Sequence, residues 1–150
     1  MPGTFAQIYI HVVFSVHKRQ NLIKDEWEER LYQYISGIVN NKDQKMLAIN
    51  GMPDHIHFLI GMKPSCCLSD LVREIKKSSN EFIKENKFIN IKFNWQEGFG
   101  AFSYSHSHLD NVIAYIIYEK KHHKKRTFQE EYTELLKKFM VIYDEKYIYD

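Results

Sequence analysis

From Phe5 to Val16 the chain alternates with a period of two. Ile8, Ile10, Val12, Phe14 and Val16 mark one face and Tyr9, His11, Val13 and Ser15 the other, which predicts a strand. After the polar exit Lys18-Arg19-Gln20-Asn21, the apolar spacing becomes helical. Asp25 is expected to cap a helix running to about Asn40, with acidic residues in its first turn and a stripe of Trp27, Leu31, Tyr34, Ile35 and Ile38. Asn40-Asn41-Lys42-Asp43 ends it. Lys45 to Ile49 predicts a second strand, Asn50 to Asp54 a turn, and His55 to Met62 a third strand that closes a hairpin. A second helix is expected from Leu68 or Ser69 to about Asn86, burying Leu68, Leu71, Val72, Ile75, Phe82 and Ile83. Residues 89–94 read as extended, and Phe99 to Tyr104 as the fourth strand. A third helix is expected from Leu109 to about His122, and a fourth, capped by Thr127, ending near Phe139.

The order β-α-β-β-α-β followed by helices is that of the split βαβ, ferredoxin-like fold: α+β, an antiparallel sheet with helices on one face, plus C-terminal helices. No repeat or linker divides residues 1–150, so a single domain is expected. The first and third strands of such a sheet are central. His55 and His57 therefore fall on a central strand, projecting from one face while Ile56 points to the other. Side by side, the two imidazoles can bind one metal ion if a third group joins them. On a helix they would diverge by roughly 200°, so the pair has meaning only on an extended segment. By itself His-x-His serves equally well as a hydrogen-bonded structural pair.

Composition narrows the class. An apolar share of 44% and a charged share of 27% are those of an ordinary globular chain. No apolar run approaches the roughly 20 residues that span a bilayer, no export signal is evident, and a cytoplasmic setting is expected. Cys66 and Cys67 are adjacent, which suits a reduced environment. The net charge of +2 says little, but Lys120, Lys121, Lys124, Lys125 and Arg126 crowd into seven residues. These cations could hold a nucleic-acid backbone, or form a solvated helix end favoured by the dipole. Arg73, Lys76 and Lys77 on the second helix are further candidates for nucleic-acid contact. Trp95, Phe99 and Phe102 suit core packing better than base stacking. His106 and His108 read as surface residues at a helix entry.

On the third helix Tyr115 and Glu119 stand four residues apart, so they share a face about 6 Å apart along the axis. A phenol and a carboxylate presented together can act as nucleophile and hard-cation ligand; equally, Tyr115 can be core and Glu119 a solvated charge.

The chain resembles the single-tyrosine HUH transposases of the insertion-sequence 200/605 type. The resemblance is carried by Gln7 to Ser15, by Met52-Pro53-Asp54-His55-Ile56-His57, by Trp95 to Ser103, and by Tyr115-Ile116 followed by His122-His123, and it extends over nearly the whole chain. It implies a ferredoxin-like domain that dimerises and cleaves and rejoins hairpin-bearing single-stranded DNA with a divalent metal, Mg²⁺ or Mn²⁺. It implies that His55 and His57 bind the metal, that Tyr115 is the nucleophile forming a 5′-phosphotyrosine, and that Glu119, where many relatives have glutamine, completes the metal shell. A non-catalytic nucleic-acid-binding module, a metal hydrolase using water, and a domesticated relative acting on chromosomal repeats are the competing readings.

Overall fold

The computed structural model describes residues 3–118 and 127–147. Its strands are β1 (Tyr9–Ser15), β2 (Lys45–Met52), β3 (His55–Gly61) and β4 (Gly100–Tyr104). Its helices are α1 (Asp25–Asn41), α2 (Leu68–Glu85), α3 (Leu109–Ile117) and α4 (Phe128–Lys138). The strands form one antiparallel sheet in the order β2-β3-β1-β4, so β1 and β3 are central. This is the expected ferredoxin-like arrangement.

Strand alternation gives the sheet two different faces. Val12, Phe14 and Val16 of the first strand region and Ile56, Phe58 and Ile60 of β3 pack with Trp27, Leu31 and Ile35 of α1 and Leu71, Val72 and Ile75 of α2. Fully burying one such side chain contributes roughly 1.5–3 kcal/mol, so this is the main core. On the opposite face α3 packs Val112 and Ile116 against Ala48 and Leu59. There too α4 packs Phe128, Tyr132, Leu135 and Leu136 against Val13 and Phe102. The two C-terminal helices thus cover different halves of one face, and the strip between them lies over the centre of the sheet.

Several local expectations shift. The first strand is shorter than Phe5 to Val16, beginning at Tyr9. Asn50, Gly51 and Met52 belong to β2 rather than to the turn, which shrinks to Pro53-Asp54. Gly51 permits this tight hairpin because a Cβ there would lie 2.4 Å from the His55 carbonyl oxygen. Lys24, not Asp25, is the N-cap of α1, and no side chain caps it. The buried stripe of α1 includes Tyr32 and Val39, while Tyr34 sits at the surface stacked on Phe82 at 4.2 Å. Residues 89–94 form no strand; beside them Val16 and Trp95 make an isolated bridge. Thr127 caps α4 as expected, its Oγ accepting from the Glu130 N–H at 3.1 Å.

Candidate active site

His55 and His57 leave β3 on the face covered by α3 and α4, where a third imidazole joins them. In the β1–β3 ladder Val13 is opposite His57 and His11 opposite Leu59, so His11 is a diagonal neighbour of His57 on the same face. None of the three histidines is more than 1% exposed. His11 Nε2 lies 2.7 Å from His57 Nδ1, and their rings stack at 5.0 Å. Asp54 Oδ1 lies 2.6 Å from His55 Nδ1. Each ring of the His-x-His pair is therefore engaged at Nδ1, which leaves Nε2 for a group in front of it.

That group comes from α4. Phe128, Glu131, Tyr132, Leu135 and Leu136 are all buried, at the i, i+3, i+4, i+7, i+8 spacing of a core stripe, and one of the five is a carboxylate. Glu131 Oε1 is 2.5 Å from His57 Nε2 and 3.7 Å from His55 Nε2. Two approaches hold α4 at this depth. Phe128 packs on the His55 ring at 4.6 Å, and Gly100 admits the Tyr132 ring where a Cβ would stand 2.6 Å from it. A charge and three imidazoles buried together are costly unless paired or bound to a cation, and aliphatic residues of similar volume would serve stability as well or better. The cluster is the arrangement expected where chemistry, not packing, selects the residues.

The set fits a metal. Ligand atoms from His55, His57 and Glu131 all lie within 4.8 Å of one another, and this is the group among the described residues that could hold an ion. Two imidazoles with one carboxylate leave coordination positions open for a substrate oxygen, as at catalytic rather than structural sites.

Tyr115 approaches from the other side of the strip. Its ring lies 6.0 Å from that of His57 and 6.3 Å from that of His11, edge-on to both. α3 is short, and its end is tied to the sheet by Asn50, which neighbours His57 across the β2–β3 ladder. Asn50 Nδ2 donates to the carbonyls of Ile116 at 3.0 Å and Ile117 at 2.8 Å. These carbonyls belong to the last turn of α3, where intrahelical donors run out.

Of the residues singled out in the sequence, the structure brings His55, His57 and Tyr115 together. Glu119, Lys120, Lys121, Lys124, Lys125 and Arg126 lie outside the described residues. Arg73, Lys76 and Lys77 are on α2, across the sheet from the histidines. Arg73 is exposed and paired with Asp70 at 2.9 Å, and Lys77 is exposed. The Lys76 ammonium donates to the carbonyls of Gln96, Glu97 and Gly98 at 2.7, 3.0 and 2.7 Å, bracing the loop that leads into β4. Trp95 and Phe102 are core, and Trp95 Nε1 donates to Ser79 Oγ at 2.9 Å. His11, Asp54 and Glu131 are the site residues that motif reading passed over. For Glu131 a signal existed: it is the charged residue at a core position of its helix.

The model of the family described as "Transposase IS200 like" matches residues 4–119, well over half of the sequence. The chain belongs to the IS200-like transposase family. Within that family it is 25% identical over 77 residues to the ISDra2 transposase TnpA of Deinococcus radiodurans, a stretch that is 51% of this chain and 55% of that one. The chain thus spans about half the length of the curated relative it matches. Two solved structures share the fold. A Deinococcus radiodurans R1 protein described as a transposase aligns with a TM-score of 0.65 at 19% identity, covering 78% of this chain and 94% of that one. The REP-associated tyrosine transposase bound to a REP hairpin aligns with a TM-score of 0.62 at 15% identity, covering 83% and 73%. Among the described residues of this IS200-like chain no helix is long and apolar enough to cross a membrane.

Proposed function

We propose that this transposase cleaves and rejoins single-stranded DNA through a covalent bond between Tyr115 and a 5′-phosphate. The observation that carries the reading is the convergence of a phenol and a buried His-His-carboxylate cluster from opposite sides of one sheet face. Tyr115 Oη attacks the scissile phosphorus, the bond from phosphorus to the 3′ oxygen breaks, and a free 3′-OH leaves. The phenol gives up one proton and the departing oxygen takes one up, so nothing is oxidised or reduced. Attack by a 3′-OH on the phosphotyrosine reverses the exchange and reseals a strand without ATP, because a phenolate leaves readily.

His55, His57 and Glu131 would hold a divalent cation, Mg²⁺ or Mn²⁺. When bound it supplies Lewis-acid polarisation of the phosphate, an electrostatic contribution of several kcal/mol. His11 and Asp54 hold the two imidazoles with Nε2 forward. α3 and α4 bury the imidazoles and Glu131, and Asn50 holds the segment carrying Tyr115. Glu119 as a further ligand, the basic run from Lys120 to Arg126 as a backbone clamp, Arg73 and Lys77 as outlying contacts, and a homodimer belong to the same proposal. The fold shared with a transposase bound to a REP hairpin agrees with a hairpin-bearing strand as partner.

The experiment is incubation with labelled, hairpin-bearing single strands from the element ends and Mn²⁺, followed by a denaturing gel. A protein–DNA adduct mapping to Tyr115, absent in Tyr115→Phe although that variant still binds DNA, is the expected result. A hydrolase would release a free 5′-phosphate and survive the substitution. A binding module would form no adduct at all.

A further inference from the structure

We propose that the cleft between α3 and α4 seats one unpaired nucleobase beside the scissile phosphate, a specificity pocket that rests on the strand-cleavage reading above. The cleft encloses about 340 Å³, and Tyr115 and Glu131, the phenol and the buried carboxylate, both line it. A base held here is therefore held next to the reacting groups.

Size and chemistry select the occupant. Ligand sites run from roughly 300 to 1,000 Å³, so this one, at the small end, suits a single nucleotide unit and excludes a duplex. Val112 and Leu135 supply apolar wall and Tyr104 an aromatic one. Burial raises the Tyr104 phenol above its ordinary value, so it remains a neutral ring on which a base can stack. Among the described residues of the lining, the carboxylates of Glu131 and Glu134 stand with the Lys138 ammonium and the His108 imidazole. Lys138 is exposed, its Nζ 6.0 Å from the Tyr104 ring centroid, where it can meet the phosphate of the seated nucleotide. Asn111, exposed on α3, adds a carboxamide with one donor and one acceptor side, the pattern that pairs with base edges. Fixing the base fixes the adjoining phosphate in line with Tyr115, which is where an orientation advantage arises.

The test moves one abasic position stepwise through the unpaired part of a hairpin-bearing oligonucleotide. Two readouts are taken with Mn²⁺ present: kcat/KM for adduct formation by the unaltered protein, and affinity of Tyr115→Phe by fluorescence anisotropy. One position is expected to cost about tenfold in each, the scale of a single base–aromatic stack. Asn111→Trp, at an exposed site, fills the cleft. It should lower kcat/KM on the intact strand about tenfold and erase the abasic penalty, with an unchanged circular dichroism melt and unchanged Mn²⁺ affinity. A flat abasic scan in the anisotropy measurement, or an Asn111→Trp protein that cleaves like the parent, overturns the pocket. Failure of the parent to form any adduct overturns the cleavage reading instead, while the anisotropy scan still judges the pocket.

Discussion

At the residue scale, the question is which carboxylate completes the cation site. Two stand near Tyr115 by sequence or by fold: Glu119, four residues further along the sequence and outside the described residues, and Glu131, buried against both imidazoles. A carboxylate that already faces the Nε2 atoms of both rings is placed to join them on one ion. We expect Glu131→Ala to weaken Mn²⁺ binding by at least about tenfold, and Glu119→Ala to weaken it far less, in a calorimetric titration. The reverse order would restore Glu119 as the ligand. His11 acts one bond further back. Its Nε2 on His57 Nδ1 fixes which His57 nitrogen faces forward, and losing such a partner lowers metal affinity about 10–100-fold. His11→Phe should show that loss in the electron paramagnetic resonance of bound Mn²⁺, and His11→Gln, which retains a polar partner, should recover part of it. If both variants bind as the parent does, His11 is packing alone.

At the element scale, the short helix α3 matters because it carries the phenol. Its nine residues are too few to be stable without packing. Asn50, reaching from β2 to two of its last carbonyls, joins the tyrosine helix to the strand beside the histidine strand. Asn50→Ala should therefore lower kcat for adduct formation several-fold while Mn²⁺ affinity stays at the parent value. Equal losses in both would mean that the substitution disturbs the sheet rather than the helix end. α4 complements α3. Its cap at Thr127 and its deep seat at Gly100 together aim Glu131, so what reads in isolation as an acidic first turn favoured by the helix dipole also presents a carboxylate to both imidazoles.

At the scale of the whole molecule, the two sheet faces divide the labour. The α1–α2 face holds the large aliphatic core, and the α3–α4 face trades part of its apolar area for a polar centre. Lys76 belongs to the first. Burial pushes its ammonium down to about 8 from 10.5, with Glu97 pulling the other way, and three carbonyls use its three N–H groups at neutral pH. Between about 8 and 10.5 the unfolded chain keeps a proton that the folded chain has released. In that window this group makes folding stability rise with pH, and lowering the pH through it removes the gain. Thermal melts from pH 7.5 to 10.5 should show the parent gaining on Lys76→Met as pH rises; a parallel pair of curves would mean that Lys76 titrates normally.

The strand and helix periods alone determined the ferredoxin-like order, the central position of the histidine strand and the capped last helix, because side-chain direction in a strand or helix follows from spacing. They also placed His55, His57 and Tyr115 on elements that the fold then brought together. What spacing could not express was distance across the sheet. His11 is 46 residues from His57 in sequence and Glu131 is 74 away, and each contact exists only through strand register or helix docking. The hairpin likewise closed tighter than its turn residues suggested, since extended pairing with β3 outweighed the local preference of Asn50 and Gly51 for a turn. Local chemistry chose the elements; packing on the second face of the sheet chose which polar groups meet.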